Sequence, residues 1–329
     1  MLSREFKIIC AVIIILISVF LGSMYYMTRV LRLAEEMITA SAGPVIKTAN
    51  DRQWIVRSVL LNSGHWRDWG NAKTTLVDVT LARVIGRQKD AVIILRNGKG
   101  HNLIALYEKH GKHYLYKDTV DLFEDLRDAQ LMPLREQSGA IIVTRDRAVD
   151  DWKESVYIRA YSWIDGHFEK TLELTEQYRE YHNELWDQNK PPQKSNWLKL
   201  AQRADIVWQN ADAPVLHVLL HQNYSLSAIA NQEKKPAEEE FELIRNRDVL
   251  EEYIWSGKWM HFILFEGTDL RSGEPVAVIE DLAVGPYGLL TQYINANRKY
   301  RVKYLDGTIE ILDKENVRPG IEIKSTREM

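Results

Sequence analysis

Cysteine is almost absent from this chain of 329 residues, in which the single example is Cys10. Because Cys10 lies inside an apolar run, the rest of the sequence can form no disulfide, no thiolate metal site and no cysteine nucleophile. A large region without disulfides fits a bacterial cell surface better than an animal secreted protein, if that region lies outside the cytoplasm.

Charge of one sign is not in excess either. The formal net charge is −3, with 43 Lys and Arg against 46 Asp and Glu. This balance provides no basic excess for nucleic acid, so no nucleic-acid partner is expected. Hydrophobic residues make up 45% of the chain and charged residues 27%, a composition typical of folded globular domains.

Metal-binding patterns are also missing. His217 and His221 are four residues apart, but no acid follows His217, and in a strand the two would lie about 13 Å apart. Asp146, Asp150 and Asp151 lack the glycine and the acid spacing of a calcium loop. We therefore expect ordinary sheet histidines, a solvated connecting loop and no metal site.

Catalytic motifs are absent from the sequence as well. The glycines of segment 98–101 are too closely spaced for a phosphate-binding loop, so this segment is predicted to be a hairpin turn. No Gly-x-Ser-x-Gly elbow occurs. The sequence therefore predicts no catalytic residue and no cofactor.

The longest uninterrupted feature is the apolar run from Ile8 to Met27, 20 residues without a charge. A helix of that length, at about 1.5 Å per residue, crosses a hydrocarbon core of about 30 Å. Lys7 and Arg29 flank the run, and Tyr25 and Tyr26 suit a membrane interface. We predict an uncleaved single-pass transmembrane helix over 8–27. A cleaved signal peptide and a buried soluble helix are the alternatives.

The tail of residues 1–7 is short and basic, which favours a cytoplasmic N-terminus and an extracytoplasmic C-terminal region. The predicted location is therefore the cell membrane, with residues 8–27 contacting the lipid bilayer. Residues 28–43 are predicted to continue as a helical stalk. Their apolar residues recur every three to four positions, and a Gly-Pro pair ends the pattern.

Residues 44–267 are predicted to form a β-rich domain of repeated hairpins. Alternation of apolar and polar residues predicts a strand at 54–61, and less strict patterns bounded by Gly, Asn or Asp predict strands at 76–85 and 91–95. Three copies of a strand followed by an aromatic hairpin are expected. Their first strands are predicted at 92–96, 141–145 and 215–220, and their turns at Gly111, Gly166 and Gly257.

The second hairpin has the sequence Tyr161-Ser-Trp-Ile-Asp-Gly-His-Phe168. It resembles the Tyr-x-Trp-x-Asp-Gly-x-Phe hairpins of β-propeller-like repeat proteins, and this resemblance extends over about residues 92–264. A single antiparallel β-sandwich is the alternative. Helical insertions are predicted at 119–132, 175–186 and 196–204, and a charged surface loop at 231–240.

Residues 268–329 are predicted to form a small barrel. Short strands are expected at 276–279, 288–294, 300–304 and 308–312, with a tight turn at Asp306-Gly307 between the last two. The sequence Val-Lys-Tyr-Leu-Asp-Gly-Thr-Ile-Glu, followed by Glu-Asn-Val-Arg-Pro, resembles Tudor and related SH3-like barrels. The resemblance implies either a site in which aromatic rings hold a cation, or a structural or protein-docking barrel in which at least half of the tyrosines point inward to fill the core. Tyr287, Tyr293, Tyr300 and Tyr304 are the candidate contacts to a ligand or partner.

The sequence therefore predicts a mainly β protein with helical insertions. A transmembrane helix precedes a repeated-hairpin domain, either propeller-like or a sandwich, and an SH3-like barrel follows it. The predicted function is binding or assembly at the membrane surface with a protein partner, without catalysis. A cell-envelope hydrolase assembled from distant residues and a sensory domain signalling through a partner are the alternatives.

Overall fold

The structure is a computed structural model that describes most of the chain after residue 48 and a few residues before it. The described residues are 13, 15–21, 32–34, 38, 49–69, 73–86, 88–122, 125–134, 139–183, 197–210, 213–227, 234–289, 298–320 and 326–328.

The described part is mainly β, as predicted. Its strands are β1 (Arg32–Ala34), β2 (Thr75–Ala82), β3 (Asp90–Arg96), β4 (Asn102–His110), β5 (His113–Leu122), β6 (Asp125–Leu134), β7 (Gly139–Val149), β8 (Lys153–Ile164), β9 (His167–Asn183), β10 (Trp197–Asn210), β11 (Pro214–Ser227), β12 (Phe241–Ser256), β13 (His261–Ile263), β14 (Phe265–Asp269), β15 (Pro275–Asp281), β16 (Lys299–Tyr304), β17 (Ile309–Asp313), β18 (Val317–Pro319) and β19 (Thr326–Glu328). Helices span Ala49–Asn62 and Trp66–Trp69, and single 3₁₀ turns span Glu238–Glu240 and Lys314–Asn316.

The chain divides into two compact units. The first comprises Met1–Phe123 and Gly166–Phe168, and the second comprises Glu124–Asp165 and Glu169–Met329. The predicted domains at 44–267 and 268–329 stay a prediction.

The first unit contains a five-stranded antiparallel sheet in the order β1-β5-β4-β3-β2. Central strands β3 and β4 are buried over most of their length, and each contains a continuous apolar run, at residues 91–95 and 103–107 respectively. The helix Ala49–Asn62 supplies Ile55, Val59 and Leu60 to the same core as Ile93 and Leu103. Each such buried aliphatic side chain contributes about 1.5–3 kcal/mol of transfer free energy. The strands predicted at 76–85 and 91–95 are confirmed as β2 and β3.

The strand predicted at 54–61 is wrong, because these residues belong to the helix Ala49–Asn62. Ile55 and Val59 are four residues apart and both buried, which is the spacing of one helix face. Their β-branched side chains suit strands equally well, and this similarity misled the pattern. Gly64 has a φ of +80° two residues beyond the helix, a conformation that glycine adopts easily at a helix end.

Most of the predicted transmembrane helix at 8–27 and stalk at 28–43 lies outside the described residues. Residues 13 and 15–21 are helical, and their large apolar side chains are exposed. No helix among the described residues has both the length and the apolar character needed to cross a bilayer. Within the stalk, residues 32–34 form a strand rather than a helix. Leu33 pairs with Tyr114 of β5, and its side chain is fully buried in the core.

The second unit contains a nine-stranded sheet in which β6 to β13 lie side by side in chain order and β19 pairs with β12. The three predicted strand-plus-hairpin units are confirmed as β3-β4-β5, β7-β8-β9 and β11-β12-β13. The last two lie in this one sheet. Their likeness to propeller blades or to a sandwich stays a prediction.

The turn between β8 and β9 shows how the sequence defines a hairpin. Asp165 and Gly166 have φ angles of +49° and +91°. A two-residue turn with two positive φ angles matches the twist of the flanking strands, and Asp-Gly is among its preferred sequences. The hairpin predicted here is therefore formed by the residues that identified it.

All three predicted helical insertions are wrong, because residues 119–132, 175–186 and 196–204 lie largely in strands. Strand β9 explains the error at 175–186. Tyr178 and Tyr181 point to opposite faces of the strand, yet both are buried, against Tyr287 and Phe241 respectively. A strand covered on both faces loses the alternation that identifies strands in a sequence.

The error at 119–132 has a different cause. Strand β5 ends at Leu122 and β6 begins at Asp125, so two strands replace one helix. Pro133, directly after the predicted helix, lies within β6 and pairs with Ala140. Strand β6 is an edge strand, where a residue without an amide hydrogen is tolerated.

The C-terminal sheet has the order β17-β16-β15-β14-β18 and curls into a half-barrel. The strands predicted at 276–279, 300–304 and 308–312 are confirmed within β15, β16 and β17. In the fourth predicted strand, 288–294, residues 288 and 289 are helical and the remainder lies outside the described residues. Apolar side chains of this sheet share one core with the nine-stranded sheet; examples are Val276 and Val302 with Leu216 and Phe262.

Candidate functional site

Two of the four predicted contact tyrosines, Tyr300 and Tyr304, lie on β16, and Tyr287 lies in the segment after β15. Tyr293 lies outside the described residues. The three described tyrosines have different neighbours, and Tyr304 alone of them lines a pocket at the edge of the C-terminal sheet. Their contact with a ligand or partner stays a prediction.

The Tyr304 hydroxyl donates a hydrogen bond to Oδ2 of Asp269 over 2.8 Å. Asp269 is almost fully buried at the end of β14, and it also accepts hydrogen bonds from Arg271. The Arg271 guanidinium extends from there to Glu310 of β17, at 3.1 Å. One arginine therefore connects two carboxylates from different strands beside the tyrosine.

A pocket of about 700 Å³ opens at this network, between the turn after β14 and the hairpin after β16. Four of its side chains are acidic and Arg271 is its one cationic side chain among those described. Its lining residues are Asp269, Arg271, Ser272, Glu274, Pro275, Tyr304, Leu305, Asp306, Thr308 and Glu310. We call this the acidic pocket.

Two carboxylates of the acidic pocket, Asp269 and Asp306, have lowered pKa values. Hydrogen bonds from Arg271 hold the pKa of Asp269 well below its usual range. The Thr308 backbone N–H lowers the pKa of Asp306 in the same way. Burial, together with the carboxylate of Asp269, raises the pKa of Tyr304 to about 12, so its hydroxyl remains a hydrogen-bond donor. With more carboxylates than cations, the pocket is suited to a positively charged group.

The other two described tyrosines already have partners. The Tyr300 ring packs edge-on against Phe265, at 5.5 Å between centroids, and Nζ of Lys314 lies 4.7 Å from the Tyr300 centroid. The Tyr287 hydroxyl donates to Glu180, at 2.5 Å, and bonds to Tyr178, at 2.6 Å. Tyr287 thus attaches the segment after β15 to β9.

A second polar feature lies between the nine-stranded sheet and the C-terminal sheet, within the second unit. A cavity of about 90 Å³ is lined by Glu251 and Tyr253 of β12 and by Glu280 and Asp281 of β15, among other residues. Glu251 is 3% exposed, and its Oε2 accepts a hydrogen bond from Tyr253. Its Oε1 has no hydrogen-bond partner among the described residues.

Burial raises the pKa of Glu251 to about 8, and the nearby charges of Asp281 and Glu280 act in the same direction. Those two acids have their own cations: Asp281 pairs with Lys314 at 2.5 Å and Glu280 with Arg301 at 2.7 Å. Glu251 is therefore protonated over most of the neutral range. This site was not predicted from the sequence. Glu251 nevertheless points to the same buried face of β12 as Val249, Tyr253 and Trp255.

The two histidines considered above as possible metal ligands make ordinary contacts with carboxylates of the sheet. His217 contacts Glu252 at 3.3 Å, whereas His221 lies between Asp248 and Asp205 on the exposed sheet face. Within the described part of the chain, no group of three or more potential ligands could hold a metal ion. Residues 98–101 form the β3–β4 turn, as predicted.

The interpretation of Asp146 as a loop residue is wrong. Asp146 lies in β7 with its side chain fully buried, and Oδ2 accepts a hydrogen bond of 2.5 Å from Arg159 of β8. Asp150 and Asp151 do lie at the exposed β7–β8 turn, where Asp150 accepts hydrogen bonds from the backbone.

No protein-family model matches the chain, and no curated protein is significantly similar to it.

Proposed function

We propose that this chain is a membrane-anchored binding or assembly protein, whose C-terminal region lies outside the cytoplasm and captures a protein partner without catalysis. The observation that carries the proposal is the acidic pocket. It is large and open, it presents carboxylates from separate turns and strands, and it contains the predicted Tyr304. These properties suit recognition of a lysine or arginine side chain on a partner.

The strand arrangement supports an SH3-like interpretation of the C-terminal sheet. Numbered from β14, its strands lie in the order five, one, two, three, four, and a single 3₁₀ turn precedes the last strand. Gly267 of β14 fits the close approach of β18, because a Cβ atom there would lie 2.9 Å from the carbonyl oxygen of Arg318. The resemblance implies a module that binds a cationic group, which the acidic pocket also suits.

Neutralising the acidic pocket is expected to abolish partner capture. The variant carries Glu274→Gln, Asp306→Asn and Glu310→Gln, which remove three negative charges and leave the buried Asp269 in place. We expect at least a tenfold loss of the partner cross-linked to the full-length protein in its native membrane, a loss of about 1.4 kcal/mol or more. The readout is quantitative mass spectrometry of the cross-linked complex.

The matched control carries Glu239→Gln, Glu242→Gln and Glu315→Gln, which remove the same charge from exposed positions outside the pocket. It should capture the partner as the wild type does, and partner peptides linked to the pocket should contain Lys or Arg. Equal capture by the pocket variant and the wild type would contradict the pocket as the recognition site. No reproducible partner in any sample would contradict the assembly function.

The anchor is tested separately. Extraction of native membranes with alkaline carbonate should leave the full-length chain in the membrane fraction, whereas a variant with Leu16→Arg and Val19→Arg should be released. Protease added outside the cytoplasmic membrane should degrade the C-terminal region. Release of the wild-type chain by carbonate would contradict a transmembrane anchor.

A further inference from the structure

The first unit has a groove between its two helices and the start of β2, with a volume of about 510 Å³. Val56, Leu60, Trp69 and Leu76 supply apolar lining. The other larger side chains of the groove are Arg52, Gln53, Arg57 and Trp66. We call it the Trp–Arg groove. It combines a strip of apolar surface with two cationic side chains.

Trp66 is the most informative residue of this groove. Its indole is 41% exposed, unlike the buried Trp69, and the Arg57 guanidinium lies 5.7 Å from its ring centroid. Tryptophan is favoured where one side of a ring is apolar and the other is hydrated, as at the headgroup level of a membrane. Guanidinium groups bind phosphate through paired hydrogen bonds.

The surrounding segment is basic, although the whole chain is acidic. Residues 49–89 contain seven Lys and Arg but three Asp and Glu, whereas the complete chain has a net charge of −3. A local positive charge of this kind attracts anionic lipid surfaces within about one Debye length, which is ~8 Å at physiological ionic strength.

The fold also limits how far this unit can lie from the predicted membrane helix. Leu33 is fully buried in the core of the first unit, and it follows Met27 by six residues. Six extended residues span at most about 20 Å. If residues 8–27 cross the membrane, the first unit must therefore lie close to its surface.

We propose that the Trp–Arg groove binds the phosphate headgroups of anionic phospholipids at the membrane surface. The inference rests on the proposed membrane anchor, because the short connection from Met27 is what holds the groove near the lipid. In this arrangement, Arg52 and Arg57 bind phosphate and Trp66 enters the interface beside them. The groove thereby orients the first unit on the bilayer.

The test uses the full-length chain reconstituted in nanodiscs. The bulk lipid of one set is phosphatidylcholine, and that of the other is an equal mixture of phosphatidylcholine and phosphatidylglycerol. Each set also carries a trace of phosphatidylglycerol with a photoreactive headgroup. Mass spectrometry measures the yield of lipid cross-links to peptides from residues 49–76. We expect this yield to be about fivefold or more lower in Arg52→Gln/Arg57→Gln than in the wild type.

The matched control is Arg179→Gln/Arg203→Gln, which removes two exposed arginines from the nine-stranded sheet and should leave the cross-links unchanged. An excess of unlabelled phosphatidylglycerol should compete with the photoreactive lipid, whereas an excess of phosphatidylcholine should not. Equal cross-linking in the wild type and the groove variant, or none at residues 49–76, would overturn the inference. Failure of the chain to enter nanodiscs would instead overturn the anchor, so the two failures are distinguishable.

Discussion

Glu251→Gln is expected to stabilise the folded protein at alkaline pH and to remove much of the loss of stability as pH rises. The Glu251 side chain is buried beside the cavity between the two sheets of the second unit, and burial raises its pKa from 4.5 to about 8. The folded chain therefore binds this proton more tightly than the unfolded chain does. The resulting stabilisation is fully present below pH 4.5 and is lost as pH rises through about 8.

The size of this effect follows from the pKa difference. One pKa unit corresponds to about 1.4 kcal/mol, so the full titration of Glu251 alters the free energy of unfolding by a few kcal/mol. Glutamine has nearly the same shape but no charge at any of these pH values. The variant should therefore gain stability over the wild type progressively between about pH 4.5 and 8 and level off above that range, while the difference at pH 5 remains small.

Urea unfolding of the full-length chain at pH 5, 7 and 9, followed by near-ultraviolet circular dichroism, measures this difference. Glu242→Gln is the matched control, because Glu242 lies on the same strand with an exposed side chain. It should leave the pH dependence unchanged. Parallel pH profiles for Glu251→Gln and the wild type would show that Glu251 is charged in the folded protein and would contradict the argument.

Arg159→Met is expected to be one of the most destabilising single substitutions in the second unit, by about 3–5 kcal/mol. Arg159 is 11% exposed and bonds to the fully buried Asp146, at 2.5 Å, and to Glu173, at 2.7 Å. Removing the guanidinium leaves the negative charge of Asp146 inside the sheet. A buried charge deprived of its counter-ion costs far more than the net value of the pair.

A double-mutant cycle separates that cost from the loss of packing. Adding Asp146→Leu to Arg159→Met removes both charges and should recover most of the lost stability in urea unfolding. Lys170→Met is the control for an exposed ion pair, since Lys170 contacts Glu173 at the surface, and it should alter the free energy of unfolding by less than about 1 kcal/mol. No recovery in the double variant would contradict a charge penalty at Asp146.

The sequence predicted the strands and turns whose local chemistry is distinctive. Strand β2 alternates, β3 is a short apolar run, and Asp165-Gly166 has the composition of a two-residue hairpin turn. The part of β9 from residue 175 onward was missed because its buried tyrosines lie on both faces of the strand, which no local pattern reveals. The helix Ala49–Asn62 was missed because its β-branched residues suit either structure.

The candidate site was predictable only in part, for a related reason. Tyr304 is aromatic and lies near a recognisable turn, so composition pointed to it. Asp269 and Arg271 resemble any polar turn, and the contact between Arg271 and Glu310 depends on strands that meet only after folding. Glu251 could have been suspected, because a carboxylate in the inward phase of a strand is unusual.

The order of strands in the nine-stranded sheet has a kinetic consequence. Strands β6 to β13 lie next to their neighbours in the chain, so most of the sheet closes through local hairpins with little loop entropy. Pairing can therefore advance from one hairpin to the next as the polypeptide emerges, in the order in which it is synthesised. The C-terminal sheet differs, because β14 must wait for β18, about 50 residues later, before both of its edges are paired.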